Sequence, residues 1–562
     1  MNKLAKLFLL GLSSNAFGVT IDQVYDHLRT VNNGAYLKYD GVTYSKPSEN
    51  ILRDDQTWLL QTPLLWGHNL TEYKASKAHS KTGEFDPIFK LAICSNDDDC
   101  GTLSKCEVAA FTLNDTKLCQ MPEHIILNNL AKNIESATYS VDIVQLGDGN
   151  GPSREEFTDM LKNALYKLAK RSIALNHEID VRILEGSYTP YTVQQNIFQQ
   201  QSAELMQLSY TRLATYVKNL VKNLPQNNKL KISVANMRSC QPGYCFNSGD
   251  FLFDFAWNHG KFTNVDNYDL ITGGENYFGE DYFGDNPVSD SSIELVGPIA
   301  NSATEYANVL WNYVNSNQGH TVNYCYTYAN GKTTNDCMVN INPAITNDRY
   351  PAYSGLTVKA MSATKLNHKV LDDDADQSEI ARVYAFKNAT ATIKISQEAI
   401  FNQGVGYLII KRPILPPVTT VDGNVIQALA YAIHVNKVNV SIITSNLNAT
   451  NYPSYVDLNY IHNGIRDSLL EQFPSETSQD AEAELKTLLH LANIDFDQTN
   501  NTNIRNHNKF WMVDDHLFYL GSHNIYPSAL QQYGVIIDSS AAGLEMNNKF
   551  WTPMWTNSDK LN

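Results

Sequence analysis

One short pattern of residues occurs twice in the chain and constrains its fold more than any other feature. The first copy begins at Asn258 and the second at Asn506, and a histidine follows each asparagine. Counted from these histidines, five residue types recur at equal offsets, 248 residues apart: His259 and His507, Lys261 and Lys509, Asp266 and Asp514, Gly273 and Gly521, and Asn276 and Asn524. Five coincident positions are difficult to attribute to chance, so the sequence predicts two copies of one structural unit.

The spacing within each copy predicts a β-hairpin. Side chains alternate between the two faces of an extended strand, so the histidine and lysine of each copy are expected on one face. The polar segments 267–269 and 515–516 are typical of turns into a second strand, which would return the asparagine to its own histidine and lysine. The glycines would let the backbone bend or approach a ligand closely. Each half is therefore expected to present an imidazole, an ammonium group and an amide on one surface.

This set of groups suits chemistry on a phosphodiester. A neutral imidazole can attack phosphorus while a second, protonated imidazole donates its proton to the departing alkoxide. Lysine and asparagine side chains stabilise charge on the non-bridging oxygens. This chemistry requires neither a metal nor another cofactor. The alternative is two structural hairpins with hydrogen-bonded, partly buried histidines, but such hairpins do not require lysine and asparagine at equal offsets.

Helix-like and strand-like segments alternate in both halves of the chain. Helices are expected from residue 123 and at 157–174, 193–224, 425–432 and 460–473, and strands at 139–144, 179–184, 230–234, 395–401, 406–410 and 438–443. This alternation predicts an α/β fold with mixed sheets. The segment 345–380 has little periodicity and contains an acidic run at 372–374, so we expect it to connect an N-terminal lobe, residues 19–345, to a C-terminal lobe, residues 346–562.

The N-terminus is typical of a secretory signal peptide. Lys3 and Lys6 precede the apolar run 7–12, and small residues follow at 16–18. The apolar run is too short to span a bilayer, and no later run has spanning length, so we expect residues 1–18 to be removed and the protein to be secreted or periplasmic. The formal net charge of −16 disfavours a general nucleic-acid partner, because an acidic surface repels the phosphate backbone.

The eight cysteines are consistent with export into an oxidising compartment. They occur as one group of four and two close pairs: Cys94, Cys100, Cys106 and Cys119; Cys240 and Cys245; and Cys325 and Cys337. Four local disulfides are expected, with the connectivity inside the first group open. A zinc site is the alternative for that group, but its spacing lacks paired C-x2-C motifs.

The doubled motif resembles that of the phospholipase D superfamily, whose hallmark is a paired H-x-K-x4-D sequence. The likeness is strongest to the secreted phospholipases D of actinomycetes and extends to segments 58–63, 286–290 and 524–528. It covers most of the chain from about residue 55 to 556, with the cysteine-rich stretch 94–119 as an insertion. The resemblance implies two α/β lobes related by a pseudo-twofold axis, with the active site in the cleft between them.

The resemblance also implies a role for each motif residue. His259 would be the nucleophile that forms a phosphohistidine, and His507 the general acid and then base. The phosphate-binding set would be Lys261, Lys509, Asn276 and Asn524. Asp266 and Asp514 would complete the motif by holding the hairpins, and the family's small-residue steps match Gly273-Gly274 and Gly521-Ser522.

The chain departs from the family pattern at one position behind the catalytic histidines. The secreted family places a carboxylate behind each histidine, and here these positions are Asp290 in the first half and Gln532 in the second. We therefore expect Asp290 to support His259, and His507 to face only the neutral amide of Gln532, or Asp538 from another direction. An amide gives no Coulombic support to an imidazolium, so His507 is expected to titrate lower than it would beside a carboxylate.

These observations predict a phospholipase D that acts at a membrane or micelle surface. The reaction would convert a glycerophospholipid such as phosphatidylcholine to phosphatidate and a head-group alcohol, and would allow transfer to added alcohols. The aromatic residues 277–278 and 282–283 could contact lipid or belong to the core. The alternatives are a secreted nuclease of the same superfamily and a non-catalytic binding or toxin protein. Since one chain carries both motifs, a monomer is expected.

Overall fold

The computed structural model describes most of the chain. The described residues are 18–146, 155–186, 213–237, 258–317, 322–328, 331–335, 337–341, 353–366, 370–371, 375–398, 400, 423–445, 458–497, 504–525 and 530–561. The predicted signal segment, apart from residue 18, and the predicted strand at 406–410 lie outside them.

The described elements alternate between helices and strands. The α-helices are α1 Ile21–Thr30, α2 Leu70–Ala78, α3 Ile125–Ser136, α4 Glu155–Leu175, α5 213–221, α6 Gly279–Phe283, α7 Ile299–Ser316, α8 Gln377–Lys387, α9 Gly423–His434, α10 Leu458–Gln472, α11 Ser478–Leu488, α12 Ser540–Met546 and α13 Thr552–Asn557. Short 3₁₀ segments lie at Val31–Tyr39, Asp97–Asp99 and Pro122–His124, and a π-helical turn lies at Asn547–Trp551.

The strands are β1 Ser48–Arg53, β2 Leu59–Thr62, β3 Lys105–Val108, β4 Lys117–Gln120, β5 Ser140–Leu146, β6 Ile179–Gly186, β7 Leu230–Met237, β8 Phe262–Val265, β9 Asp269–Gly273, β10 Asp290–Val296, β11 Val322–Thr327, β12 Lys332–Asn335, β13 Gly355–Ser362, β14 Lys365–Leu366, β15 Ala375–Asp376, β16 Thr392–Gln397, β17 Asn439–Thr444, β18 Leu489–Asn493, β19 Lys509–Val513, β20 Leu517–Gly521, β21 Gly534–Asp538 and β22 Asp559–Lys560. These elements overlap the segments that the sequence predicted within the described ranges, although the predicted strand 395–401 begins three residues after β16 does. Residues 193–212 of one predicted helix lie outside the described residues.

The two halves of the chain repeat one strand topology. In the first half, β5, β6 and β7 are parallel, β8 runs antiparallel to β5, and β8, β9 and β10 form a meander. In the second half, β16, β17 and β18 are parallel, β19 runs antiparallel to β16, and β19, β20 and β21 form the equivalent meander. The prediction of an α/β fold with mixed sheets is confirmed, and the sequence repeat corresponds to a structural repeat.

Strands β1 and β13 join the two halves into one sheet. Strand β1 pairs with β13 along its whole length and touches β10 at Ile51, while β13 continues the pairing to β21 of the second half. Eighteen strands of the described part of the chain belong to this sheet. Strand β13 lies in the segment 345–380, which was predicted to be a connection. Its hydrophobic periodicity is weak because only one end of the strand is buried.

The helices cover the sheet and create three apolar cores. One core, under α7, combines side chains of both halves, such as Phe262 and Leu295 with Phe510 and Val535. A second core lies between α3, α4 and strands β5 to β7, and a third lies between α8 to α10 and strands β16 to β18. Because the first core contains residues of both halves, burial of apolar surface holds the halves together as well as each half separately.

The first helix belongs to the core of the second half. Helix α1 begins with a capping box at Thr20 and Gln23, and its buried residues Ile21, Val24 and Leu28 follow helical spacing. This face packs with α8 in the core of the second half, and the Ile21 amide donates to Asp538 at 2.9 Å. Helix α1 therefore links the predicted N-terminal lobe, residues 19–345, to the second half of the chain.

Disulfides fasten the cysteine-rich insertion and the edge ribbon of the first half. Cys94 bonds to Cys106 and Cys100 to Cys119 around the β3–β4 hairpin, and a third bridge joins Cys325 to Cys337. These bridges confirm three of the expected local disulfides and engage all four sulfurs for which zinc was the alternative. Cys240 and Cys245 lie outside the described residues. Within the described ranges, no helix combines the length and apolar character that a membrane crossing needs.

Removal of the bridge between Cys100 and Cys119 should destabilise the insertion. The two cysteines are 19 residues apart, and for a loop near this size the loss is typically about 3 kcal/mol in the free energy of unfolding. Urea unfolding of the doubly serine-substituted protein measures this loss. The matched control is double substitution of Cys325 and Cys337, which should leave the insertion resistant to proteases. The prediction would be wrong if the insertion without the bridge between Cys100 and Cys119 resisted proteases as well as the wild-type insertion does.

Candidate active site

Each copy of the doubled motif forms the hairpin that its spacing predicted. His259 and Lys261 lead into β8, and the chain reverses at Asp266 and Asn267, which have positive φ values of 52° and 56°. In the second copy Asp514 and Asp515 reverse the chain at 51° and 59°. Successive residues of positive φ are the geometry of a type I′ turn, whose twist matches paired strands. The returning strands β9 and β20 end just before the two asparagines.

Asp266 and Asp514 lie at the turn end of each hairpin, away from the histidine and lysine. The Asp266 carboxylate accepts hydrogen bonds from the backbone amides of residues 138, 139 and 140 at 2.7–2.9 Å. The Asp514 carboxylate accepts from the amides of residues 390, 391 and 392 and from the Thr390 hydroxyl. Both aspartates therefore tie a hairpin to the start of its neighbouring parallel strand, β5 or β16.

The glycines after each hairpin allow close approach of chain segments. A Cβ atom at Gly274 would overlap the carboxylate of Asp290, and one at Gly521 would overlap Tyr519 and Gly534. Glycine at these positions therefore lets β9 and β20 pack directly against the strands that carry the histidine partners.

The support of the two histidines is crossed between the halves. The Nδ1 atom of His259 lies 2.8 Å from Oε1 of Gln532, and Nδ1 of His507 lies 2.5 Å from Oδ2 of Asp290. Backbone hydrogen bonds impose this pairing, from the His259 amide to the Gln531 carbonyl at 2.8 Å and from the His507 amide to the Ser289 carbonyl at 2.7 Å.

The expectation that Asp290 supports His259 and that His507 faces Gln532 is therefore wrong. Each motif loop runs parallel to the segment that precedes the last meander strand of the other half, with bridges from Asn258 to Gln531 and from Asn506 to Ser289. A sequence repeat identifies equivalent residues, but it does not indicate which copy contacts which. The expectation that Gln532 lowers the titration of His507 fails with it, and Asp538 lies with Ile21 and near His516 instead.

Asp290 is held as an acceptor for His507 by a buried network. Its Oδ1 accepts from the Ser291 amide at 2.9 Å, and its Oδ2 accepts from the Tyr282 hydroxyl at 3.1 Å. The Tyr282 oxygen in turn accepts from the Asn276 amide at 2.9 Å, which links Asp290 to the first motif. Tyr282 and its neighbour Phe283 are buried, so this part of the aromatic run belongs to the core rather than to a lipid-facing surface.

Gln532 is oriented by Ser522 so that its carbonyl oxygen faces His259. The Tyr533 amide donates to the Ser522 oxygen at 3.0 Å, and the Ser522 hydroxyl donates to Oε1 of Gln532 at 2.8 Å. An acceptor oxygen opposite Nδ1 of His259 requires a proton on that nitrogen. The His259 ring therefore keeps its lone pair on Nε2.

The two lysines bring two positive charges into a buried site. Lys261 donates to the His259 carbonyl at 2.8 Å, and Lys509 donates to the His507 carbonyl. Burial, and then the charge of Lys509, hold the pKa of Lys261 well below its usual value, and burial also lowers the pKa of Lys509. Burial, followed by the charges of Lys261 and Lys509, holds the pKa of His259 well below 6.5. Since charges of each half act on the other, the two motifs form one site.

Two further polar side chains complete the buried part of the site. The Asn276 amide group is buried, and its Oδ1 has no hydrogen-bond partner among the described residues. Glu275 accepts from Ser292, and burial together with the neighbouring Asp290 raises its pKa well above 4.5, which favours its neutral form. Glu275 was not predicted from the sequence, although it lies between Gly274 and Asn276.

A cluster beside the second motif has the residue types of a metal site but not its electrostatics. Asp376, Glu379 and His523 bring their ligand atoms close together. However, the Asp376 carboxylate already pairs with Lys365 at 2.7 Å, and Arg382 lies 3.6 Å from Glu379. Because these cations neutralise both carboxylates, the cluster suits a structural ion-pair network better than a metal ion.

Comparison with known proteins agrees with this geometry. A family model described as "Cardiolipin synthase, PLD-like domain" matches residues 401–555. A phospholipase D of Streptomyces antibioticus is 25% identical over 468 residues, which cover 77% of each chain. The C-terminal part of the chain thus resembles a phospholipase D-like domain, and most of the chain is similar to an actinomycete phospholipase D.

Two solved structures with similarity to this chain share little sequence identity with it. A phosphatidylserine synthase of Haemophilus influenzae Rd KW20 superposes with a TM-score of 0.45 and 11% identity over 84% of this chain and 90% of its own. A phospholipase D family member, Nuc, of Salmonella typhimurium gives a TM-score of 0.21 and 15% identity over 33% of this chain and 90% of its own.

Substitution of Asp514 by alanine should destabilise the second hairpin much more than substitution of Asp515. Asp514 accepts three backbone amides, and loss of their acceptor should cost about 2 kcal/mol or more in the free energy of unfolding. The side chain of Asp515 is half exposed and pairs with Lys394, so its loss should cost about 1 kcal/mol or less. Both residues have positive φ, so alanine introduces similar backbone strain at either position. Equal losses in chemical denaturation would contradict the role of Asp514.

Substitution of Gln532 by glutamate should raise the pKa of His259. A carboxylate at hydrogen-bond distance from Nδ1 favours the charged ring, and the expected rise is about 1–3 pH units. NMR titration of ¹³Cε1-labelled histidines measures it. The internal control is His523, whose pKa burial lowers to about 3 and which should not move. A displaced His507 signal with an unchanged His259 signal would contradict the crossed pairing.

Proposed function

We propose that this protein is a secreted phospholipase D that hydrolyses the distal phosphodiester of glycerophospholipids such as phosphatidylcholine. The products would be phosphatidate and the head-group alcohol, formed through a phosphohistidine on His259. The observation that carries the proposal is the unequal support of the two histidines, since one faces an amide and the other a carboxylate. Two histidines with different partners in one site suit two different chemical roles.

In the first step His259 acts as the nucleophile. Its low pKa keeps the ring neutral, and the proton on Nδ1 leaves the Nε2 lone pair available for phosphorus. A bond from Nε2 to phosphorus forms while the bond from phosphorus to the head-group oxygen breaks. His507 donates its proton to that departing oxygen, and the Asp290 carboxylate stabilises the positive charge that His507 needs beforehand.

In the second step water replaces the histidine on phosphorus. His507 is now neutral and removes a proton from the attacking water, and the bond between phosphorus and Nε2 breaks. The ring of His259 leaves as a neutral imidazole, and both histidines return to their starting states. An alcohol in place of water would give transfer of the phosphatidyl group by the same steps.

The lysines and asparagines would bind the phosphate group throughout. Burial lowers the pKa values of both lysines, and the charge of Lys509 lowers that of Lys261 further. A phosphodiester anion between them relieves the repulsion and accepts their hydrogen bonds. Asn276 and Asn524 follow the hairpins on the same side and supply neutral donors to the oxygens. Preorganised donors of this kind stabilise the charge that accumulates in the transition state.

A lipid substrate is favoured over nucleic acid by the net charge of the chain and by its similarity to a known phospholipase D. The net charge of −16 opposes binding of an extended polyanion, whereas a single phosphodiester needs only the local lysines. The similar Streptomyces protein is a phospholipase D. Disulfides favour an oxidising compartment, so we propose that residues 1–18 direct export and are removed. We further propose that the lobes are residues 19–345 and 346–562 and that the enzyme is active as a monomer.

One assay tests the proposed function. Purified protein is incubated with phosphatidylcholine vesicles in the presence of ethanol and, separately, with plasmid DNA. We expect release of choline and formation of phosphatidylethanol, and a loss of about 10³-fold or more in the His259→Ala variant. The matched control is His68→Ala, which removes an exposed histidine outside the site and should change nothing.

The other outcomes of this assay would contradict the proposal in different ways. Cleavage of DNA without phosphatidylethanol would identify a nuclease. No activity on either substrate, from a folded protein, would favour a non-catalytic binding protein.

A further inference from the structure

We infer that Gln532 keeps the covalent intermediate on His259 short-lived, so that its formation rather than its breakdown limits turnover. This inference rests on the proposed function, because it concerns the lifetime of the proposed phosphohistidine. It goes beyond that function by giving Gln532 a role as a positioning residue, and by separating the rates of the two chemical steps.

The buried position of Gln532 makes its side chain the hydrogen-bond partner of Nδ1 of His259. Gln532 is 0% exposed and His259 is 5% exposed, so water cannot replace the amide as the partner of Nδ1. Ser522 fixes the amide with its oxygen toward the ring. The ring therefore receives a hydrogen-bond acceptor that selects the reactive tautomer but carries no charge.

The charged groups that act most strongly on the His259 ring are cations. Lys261, Lys509 and His507 each act on its ring, and all three disfavour a positive charge there. The carboxylates of the site act elsewhere, since Asp290 contacts Nδ1 of His507, and Glu275 and Glu398 act on the two lysines. Among the described groups that act on it, His259 has no carboxylate in hydrogen-bond contact to neutralise a cationic ring.

The covalent intermediate needs the charge that this environment disfavours. When Nε2 bonds to phosphorus and the head-group oxygen leaves, the ring retains its Nδ1 proton and becomes positive. A carboxylate behind Nδ1 would stabilise this state, whereas an amide leaves it uncompensated. The intermediate is therefore harder to form and easier to break, because cleavage of the bond between nitrogen and phosphorus restores a neutral ring. The negative charge of the bound phosphodiester partly stabilises the cationic ring. It does so equally whether the partner of Nδ1 is an amide or a carboxylate.

Quench-flow measurement of the covalent enzyme tests the inference. The probe is a short-chain phosphatidylcholine with ³²P in its phosphate, mixed with wild type or with Gln532→Glu and stopped in alkali. Wild type should carry label on less than about a tenth of its sites in the steady state. A carboxylate that raises the pKa of His259 by one or more units should raise the labelled fraction by about tenfold in Gln532→Glu, toward label on every site.

A pH profile separates this role from simple packing. In Gln532→Glu the ring of His259 gains a proton more readily, so the acidic limb of kcat/KM should move upward by about 1 pH unit or more. Gln532→Met has similar volume but no acceptor oxygen. It should lose activity through the wrong tautomer, without accumulating label and without an upward shift of the acidic limb.

The outcomes distinguish this inference from the proposed function. Label on most wild-type sites would overturn the inference without any variant, as would equal labelled fractions in wild type and a folded Gln532→Glu. If wild type releases no choline and cleaves no phosphodiester, the proposed function fails instead. Choline release with little label in wild type and accumulation in Gln532→Glu supports both.

Discussion

The candidate active site depends on two pairs of hydrogen bonds that cross between the halves of the chain. The amide of each motif histidine donates to a carbonyl of the opposite half, at Gln531 for His259 and at Ser289 for His507. These bonds place the next residue, Gln532 or Asp290, behind the imidazole ring. The hairpins, the glycine steps and the shared core all serve to hold these two short parallel contacts in register.

Because support is exchanged, a change in one half acts on the histidine of the other. Position 532 of the second half holds an amide, and the histidine that it contacts is His259, the proposed nucleophile. His507, the proposed general acid, contacts the carboxylate of Asp290, which Tyr282 and Ser291 orient. The neutral partner thus falls on the residue whose proposed chemistry requires a neutral ring, and the charged partner on the one that would hold a proton.

The sequence predicted the units of this structure better than their assembly. Equal offsets in the two motifs predicted both hairpins, since a strand of fixed rise and a two-residue turn leave little freedom over so short a distance. Hydrophobic periodicity predicted the main helices and parallel strands for the same local reason. The partners of His259 and His507 were assigned wrongly, because contacts between distant segments depend on how two similar units dock. Strand β13 was missed because its pattern is weak, and Glu275 because it has no counterpart in the second motif.

The position of helix α1 and strand β1 has a consequence for the time at which activity can arise. Residues 21–53 pack with the second half, while the partner of His259 is residue 532. The second half needs residues 21–53, and the site of the first half needs residue 532. No short continuous stretch of the chain therefore contains all the parts of either half. A chain still emerging during synthesis therefore lacks the complete candidate site. Under the proposed function, cleavage of phospholipids would begin only after almost the whole chain has been made.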